Sequence, residues 1–183
     1  GYWRETERTV GGAPSTLRLT LPEIFLGRED TAGRVEDIHQ TMRDYLARGI
    51  LREIPDGMIY VRRTLSDGKT RRGIVAALDL EEYDFSPESA ALCRATEATV
   101  TERIPPRKAV RQNAPLELPH VLVLIDDRRR EIIEGLGRQT ENMVKEYDFT
   151  LMRGGGHIEG WRLTADQQRA VQEGLDALRR EAL

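Results

Sequence analysis

Leu17, Leu19 and Leu21 alternate with polar neighbours, the period of a half-buried strand, until Pro22 interrupts the ladder. Residues 22–34 read as loop. From Arg34 the apolar positions step by three and four through Val35, Ile38, Met42, Tyr45 and Leu46. That is one stripe of an amphipathic helix, and Gly49 supplies its stop. After the turn residues Pro55, Asp56 and Gly57, the stretches 58–63 and 73–80 read as strands. They flank Ser66-Asp67-Gly68-Lys69, whose Asp-Gly pair tolerates the positive φ of a hairpin turn.

The pattern then changes. Residues 88–95 suit a short helix. Thr96 to Val100 is rich in β-branched residues, and Pro105-Pro106 blocks a helix running through, so 97–111 reads as extended. Val121 to Ile125 is a continuous apolar run of the kind expected for a strand buried on both faces. Asp126 and Asp127 are placed to cap the helix that follows, with Ile132, Ile133 and Leu136 facing inward. Residues 147–152 and 157–163 form a second predicted hairpin around Gly154-Gly155-Gly156. The last helix opens with Thr164 and Gln167 at capping-box spacing and carries Val171, Leu175 and Leu178 as its stripe.

Hairpins interspersed with helices, without strict strand–helix–strand alternation, imply an α+β fold, a mixed sheet with hairpins packed by three or four helices. A length of 183 residues suits a single domain over residues 1–183. Apolar residues at 39% and charged residues at 32% support a packed core under a solvated surface. The net charge of -3 gives no global pull toward nucleic acid or anionic lipid, so any anion site is local. Aromatic residues do not interleave with basic ones, which removes the stacking platform of a single-strand nucleic-acid binder. Cys93 is the sole cysteine, so neither an internal disulfide nor a thiolate zinc site is expected. With no long apolar segment, a cytoplasmic protein without membrane partners is expected.

Candidate chemistry concentrates in the stiff, charged stretch from Glu97 to Arg111. On an extended backbone Glu97, Thr99, Thr101, Arg103, Arg107 and Arg111 share one face. The three guanidiniums suit phosphate or carboxylate, since each planar fork bonds two oxygens at once. Glu97 is then placed to orient an arginine or accept a proton. The rival reading is a solvated edge whose charges pair with carboxylates elsewhere. His120 precedes the apolar run and Asp126 and Asp127 follow it, at a strand end suited to ligands. The two carboxylates can cap the helix or hold Mg²⁺ through water. Gly154 to Gly156 can be a hairpin tip or a backbone cradle for phosphate. His39, His120 and His157 lack the spacing that would set two of them side by side on one element.

The runs Gly73-Ile-Val-Ala-Ala-Leu-Asp79-Leu-Glu-Glu82-Tyr83-Asp84-Phe-Ser86, Arg94-Ala-Thr-Glu97-Ala-Thr99 and Glu102-Arg103-Ile-Pro-Pro-Arg107 resemble the bacterial and archaeal family designated domain of unknown function 1015. The likeness continues through Ala114-Pro-Leu-Glu117-Leu-Pro-His120, Val123-Leu-Ile-Asp126-Asp127, Tyr147-Asp148-Phe and Gly155-Gly156-His157-Ile. One branch of that family has His and Arg where this chain has Thr96 and Val100. The resemblance implies that the chain corresponds to the N-terminal part of a longer protein with an Asp-Gly-His-His or Asp-Gly-Asn-His segment further on. That segment is similar to one in ParB- and sulfiredoxin-like proteins, some of which phosphorylate free serine with a nucleotide. The implied function is small-molecule phosphoryl transfer: Arg103, Arg107 and Arg111 with Thr99 and His120 on the anionic substrate, Glu97 as catalytic group, and Asp126 and Asp127 on Mg²⁺ beside a nucleotide. The alternative is a non-catalytic ligand-binding or assembly domain that pairs with a partner chain, a second copy of itself, or the remaining C-terminal half.

Overall fold

A computed structural model of the chain describes residues 1–182 apart from 56, 80, 82, 85, 87–92, 94–99, 119 and 120. The chain gathers into two compact units, each assembled from two separate stretches. One comprises Gly1–Glu53 with Thr96–Val123, the other Ile54–Ala95 with Leu124–Leu183.

The first unit is helical among its described residues, with α1 (Tyr2–Val10), α2 (Thr31–Ala47) and α3 (Ile104–Arg111). The stripe on α2 buries Ile38, Met42 and Tyr45 around Leu19, with Leu21, Ile50, Leu51, Val110, Ala114, Leu116 and Leu118 packed against them. Each fully buried aliphatic side chain contributes roughly 1.5–3 kcal/mol of transfer free energy. Gly49 ends α2 as expected, at φ 66°, with its N–H on the Leu46 carbonyl at 3.1 Å. Leu17, Leu19 and Leu21 are not a strand. Ser15 Oγ accepts the Leu17 N–H at 3.2 Å and starts a 3-10 turn over Thr16–Leu19, which sends Leu19 into the core without a ladder partner. The extended reading of 97–111 is likewise corrected over its described part. Pro105 and Pro106 occupy the first turn of α3, where a helix needs no N–H from them, so they open the helix that they were expected to forbid.

The second unit carries the sheet. β1 (Ile59–Thr64), β2 (Thr70–Val75), β3 (Val144–Thr150) and β4 (His157–Arg162) lie in the order β2-β1-β4-β3. Every neighbouring pair in it is antiparallel, and the parallel pairing expected of a mixed sheet is confined, among the described residues, to the bridge between Tyr83 and Cys93. Both predicted hairpins form. Gly68 takes φ 82° and Asp67 Oδ1 accepts the Lys69 N–H at 3.0 Å in the first. In the second, the Gly155 carbonyl accepts Arg63 Nε and Nη2 at 3.2 and 2.8 Å, so Gly154 to Gly156 form a tip tied to β1.

Two helices, α4 (Ile133–Gly137) and α5 (Ala165–Ala182), belong to this unit. Its core is Tyr60, Ile132, Leu136, Met143, Trp161, Leu163 and Val171, with Leu178 packed against it. Tyr60 and Trp161 face each other across β1 and β4 with ring centroids 5.8 Å apart. At α5 the capping box is reciprocal: Gln167 Oε1 accepts the Thr164 N–H at 2.9 Å, and Thr164 Oγ1 accepts the Gln167 N–H at 3.3 Å.

The chain is therefore α+β. The buried strand expected at 121–125 does not form. Val121, Leu122 and Leu124 are 80%, 87% and 78% exposed, and no strand pairs with the run among the described residues. Its composition satisfies half of what a central strand requires; the other half is a neighbour on each side.

Candidate functional site

Within α3 the helical period changes which side chains keep company. Pro106 and Val110 turn inward, Val110 onto the core of the first unit. Arg107, Lys108 and Arg111 fall on an outer face with Ile104 and Gln112, and together line an open cavity of about 530 Å³. A spacing of four, which puts Arg107 and Arg111 on one face of an extended chain, makes them neighbours on a helix. Arg103 closes the preceding 3-10 turn (Thr101–Arg103) and is not among the lining residues. Arg111 Nε lies 3.1 Å from Glu117 Oε1, both side chains being exposed. For Arg107 and Lys108 no ion pair is found among the described residues. Lys108 and Arg111 also sit in the last turn of α3, where the helix dipole favours positive charge.

Glu97, Thr99 and His120 lie outside the described residues. Asp127 Oδ2 accepts the Ile132 N–H at 2.9 Å, just ahead of α4. Asp126 Oδ1 is 3.4 Å from Arg128 Nε at the surface. Among the described residues these two carboxylates gather no third ligand, and Asp127 already serves the backbone, which is poor provision for Mg²⁺. His39 is buried in the first unit, with Nε2 2.7 Å from the Val110 carbonyl oxygen.

A family model described as protein of unknown function (DUF1015) matches residues 1–181. The chain belongs to this family. No curated protein and no solved structure matches it.

The second unit of this DUF1015 chain holds a charged group whose members lie on two strands and are joined only by their pairing. On β4 the period of two sets His157, Glu159 and Trp161 on one face, and Asp148 on β3 lies opposite Glu159. Lys145 Nζ bridges the two carboxylates, 2.5 Å from Asp148 Oδ2 and 3.0 Å from Glu159 Oε1. Arg62 grips Glu159 Oε2 from the other side, at 2.7 Å. His157 Nε2 is 2.8 Å from Asp148 Oδ1, and its Nδ1 is 3.1 Å from Thr150 Oγ1. Lys145 holds Asp148 below the usual carboxylate range and is itself pushed above the ordinary lysine value, by Asp148 first and Glu159 second. Burial pulls Glu159 upward, but hydrogen bonds from Arg62 and Lys145 outweigh it and leave it lowered. The signal available in the sequence was His157-Ile-Glu159. What it lacked was the register, which depends on a bulge between Lys145 and Tyr147 that carries Asp148 onto the same face.

Proposed function

We propose that this DUF1015 chain binds a small phosphate-bearing molecule on α3. The observation that carries this reading is the grouping of Arg107, Lys108 and Arg111 on one open face of α3. Two guanidiniums offer forked donors to phosphate oxygens and the ammonium adds a mobile point charge, a set suited to a phosphate group and indifferent to what it is attached to. The family resemblance extends the reading to phosphoryl transfer, in which these cations would offset charge on the transferred group and Glu97 would orient or deprotonate the acceptor.

Thermal denaturation with ATP, ADP, inorganic phosphate and phosphoserine, with and without Mg²⁺, tests this on wild type and on Arg107→Ala/Arg111→Ala. A ligand at a hundredfold excess over its dissociation constant stabilises the folded state by about 2.7 kcal/mol. The expected result is a rise in midpoint with at least one phosphate compound that disappears in the double variant. A rise that survives in the double variant sinks the reading.

A second reading is favoured by the exposure of Val121 and Leu122 at the end of the helical unit. An apolar, β-prone run in contact with water is a docking element for a partner strand, in another copy or in another chain. Leu122→Asp would then abolish a dimer or complex seen by light scattering and leave phosphate binding intact.

A further inference from the structure

Away from α3, one group of three metal-ligating side chains meets among the described residues: Asp148, His157 and Glu159, whose candidate ligand atoms all lie within 4.8 Å of one another. We propose that this group is a divalent transition-metal site, for Zn²⁺ or Mn²⁺, which Lys145 occupies until the ion displaces it. The proposal is independent of the anion reading.

Three features of the face support it. Two neighbouring strands in fixed antiparallel register present the ligands, so their spacing is set by backbone hydrogen bonds rather than by loop conformation. Each of two ligands also has an outer partner that holds its far side. Thr150 Oγ1 stands at Nδ1 of His157, and Arg62 holds Oε2 of Glu159, which leaves Nε2 and Oε1 turned toward Asp148. Metal-bound imidazoles and carboxylates are commonly oriented in this way. The third feature is Lys145 itself. Its Nζ lies within hydrogen-bond distance of Asp148 Oδ2 and Glu159 Oε1 and so marks a point where the protein stabilises positive charge.

An arriving ion would take Asp148 Oδ2, Glu159 Oε1 and His157 Nε2. The imidazole must then carry its proton on Nδ1 and donate it to Thr150 Oγ1, whereas without the ion Nε2–H donates to Asp148 Oδ1. Lys145 is half-exposed on a flexible stem, so its ammonium can leave for water. One imidazole nitrogen with two carboxylate oxygens suits Zn²⁺ or Mn²⁺; Mg²⁺ and Ca²⁺ favour oxygen ligands throughout. Three protein ligands leave coordination positions open to water.

Lys145 Nζ and the Arg62 guanidinium stand 5.1 and 4.8 Å from the Trp161 ring centroid, which makes Trp161 a reporter of the lysine's departure. The experiment titrates Zn²⁺, Mn²⁺ and, as control, Mg²⁺ into the whole chain carrying Trp3→Phe, followed by Trp161 emission and by calorimetry. Saturable binding of one Zn²⁺ or Mn²⁺ per chain with a change in emission is expected. Lys145→Met should bind more tightly, Thr150→Val about tenfold more weakly, and His157→Gln not detectably. Far-UV circular dichroism confirms that each variant is folded. The proposal is overturned if neither wild type nor Lys145→Met binds Zn²⁺ or Mn²⁺ saturably, or if folded His157→Gln binds as wild type does.

Discussion

His39 on α2 and Val110 on α3 are joined by a hydrogen bond, the imidazole Nε2 lying 2.7 Å from the Val110 carbonyl oxygen. The ring is only 6% exposed, and Val110 packs on the same core that α2 supplies. This bond fixes the last turn of the helix that carries Arg107 and Arg111. His39→Ala should cost about 1–3 kcal/mol, the usual penalty for leaving a buried acceptor unsatisfied. It should also weaken phosphate binding, although no lining residue is changed. Urea unfolding together with phosphate titration measures both; lost stability with unaltered binding would show that α3 is held by other means.

Arg111 shares its charge with Glu117 at 3.1 Å. Exposed pairs of this kind contribute between about 0 and 1 kcal/mol, so Glu117→Gln should leave the unfolding midpoint nearly unchanged. Freed of its internal carboxylate, Arg111 should bind an added anion more tightly. Calorimetric titration with inorganic phosphate at low ionic strength reads the difference, and weaker binding in the variant would count against α3 as the anion site.

Gly160 on β4 lies beneath the ring of Tyr147 on β3, and a Cβ at that position would run into the ring carbons. Overpacking at such a point costs typically about 1–3 kcal/mol. Gly160→Ala should therefore lower the thermal midpoint, and Tyr147→Ala in the same chain should recover part of the loss. Additive effects of the two changes would mean that they do not meet.

The pH dependence of stability follows from Lys145 and its two carboxylates. Asp148 and Glu159 titrate lower in the folded chain than in the unfolded one, so their contribution is present above the ordinary carboxylate range and is lost as pH falls through their folded values. Lys145 is raised above its ordinary value of 10.5, so its contribution is complete below that value and is lost as pH rises through the folded one. The urea midpoint should be level from roughly pH 5 to 9 and fall on both sides. Lys145→Met should flatten both limbs, and parallel profiles for the two proteins would falsify this account.

Legibility in the sequence followed locality. The two hairpins, the stop at Gly49 and the capping box of α5 depend on residues within a few positions of one another, such as Asp67 with Gly68 or Thr164 with Gln167, and each forms, although β2 and β3 begin three residues earlier, at Thr70 and Val144, than the expected strands over 73–80 and 147–152. Pro105-Pro106 misled because the same pair that breaks a helix from inside is well placed at its first turn, and only the start of α3 distinguishes the two. Leu17 and Leu19 alternate over too short a span to separate a strand from a 3-10 turn, and Ser15 decided the matter with one side-chain bond.

The candidate sites divide in the same way. Arg107 and Arg111 were legible as sharing a face because a spacing of four does so on a helix and on a strand alike, although only the helix makes them neighbours. Asp148 with His157 and Glu159 was not, since the match between β3 and β4 rests on the one extra residue that the bulge takes up.

The interleaving of the two units has a consequence for how the protein can be inherited. The chain changes unit at 53/54, 95/96 and 123/124. Residues 1–123 keep the whole of the helical unit but carry the β1–β2 hairpin without β4, and residues 54–183 keep the whole of the sheet unit but carry α3 without α2. Neither unit can be exchanged by recombination as a clean cassette. Any one continuous segment that holds the whole unit of the α3 arginines also holds β1 and β2 of the sheet.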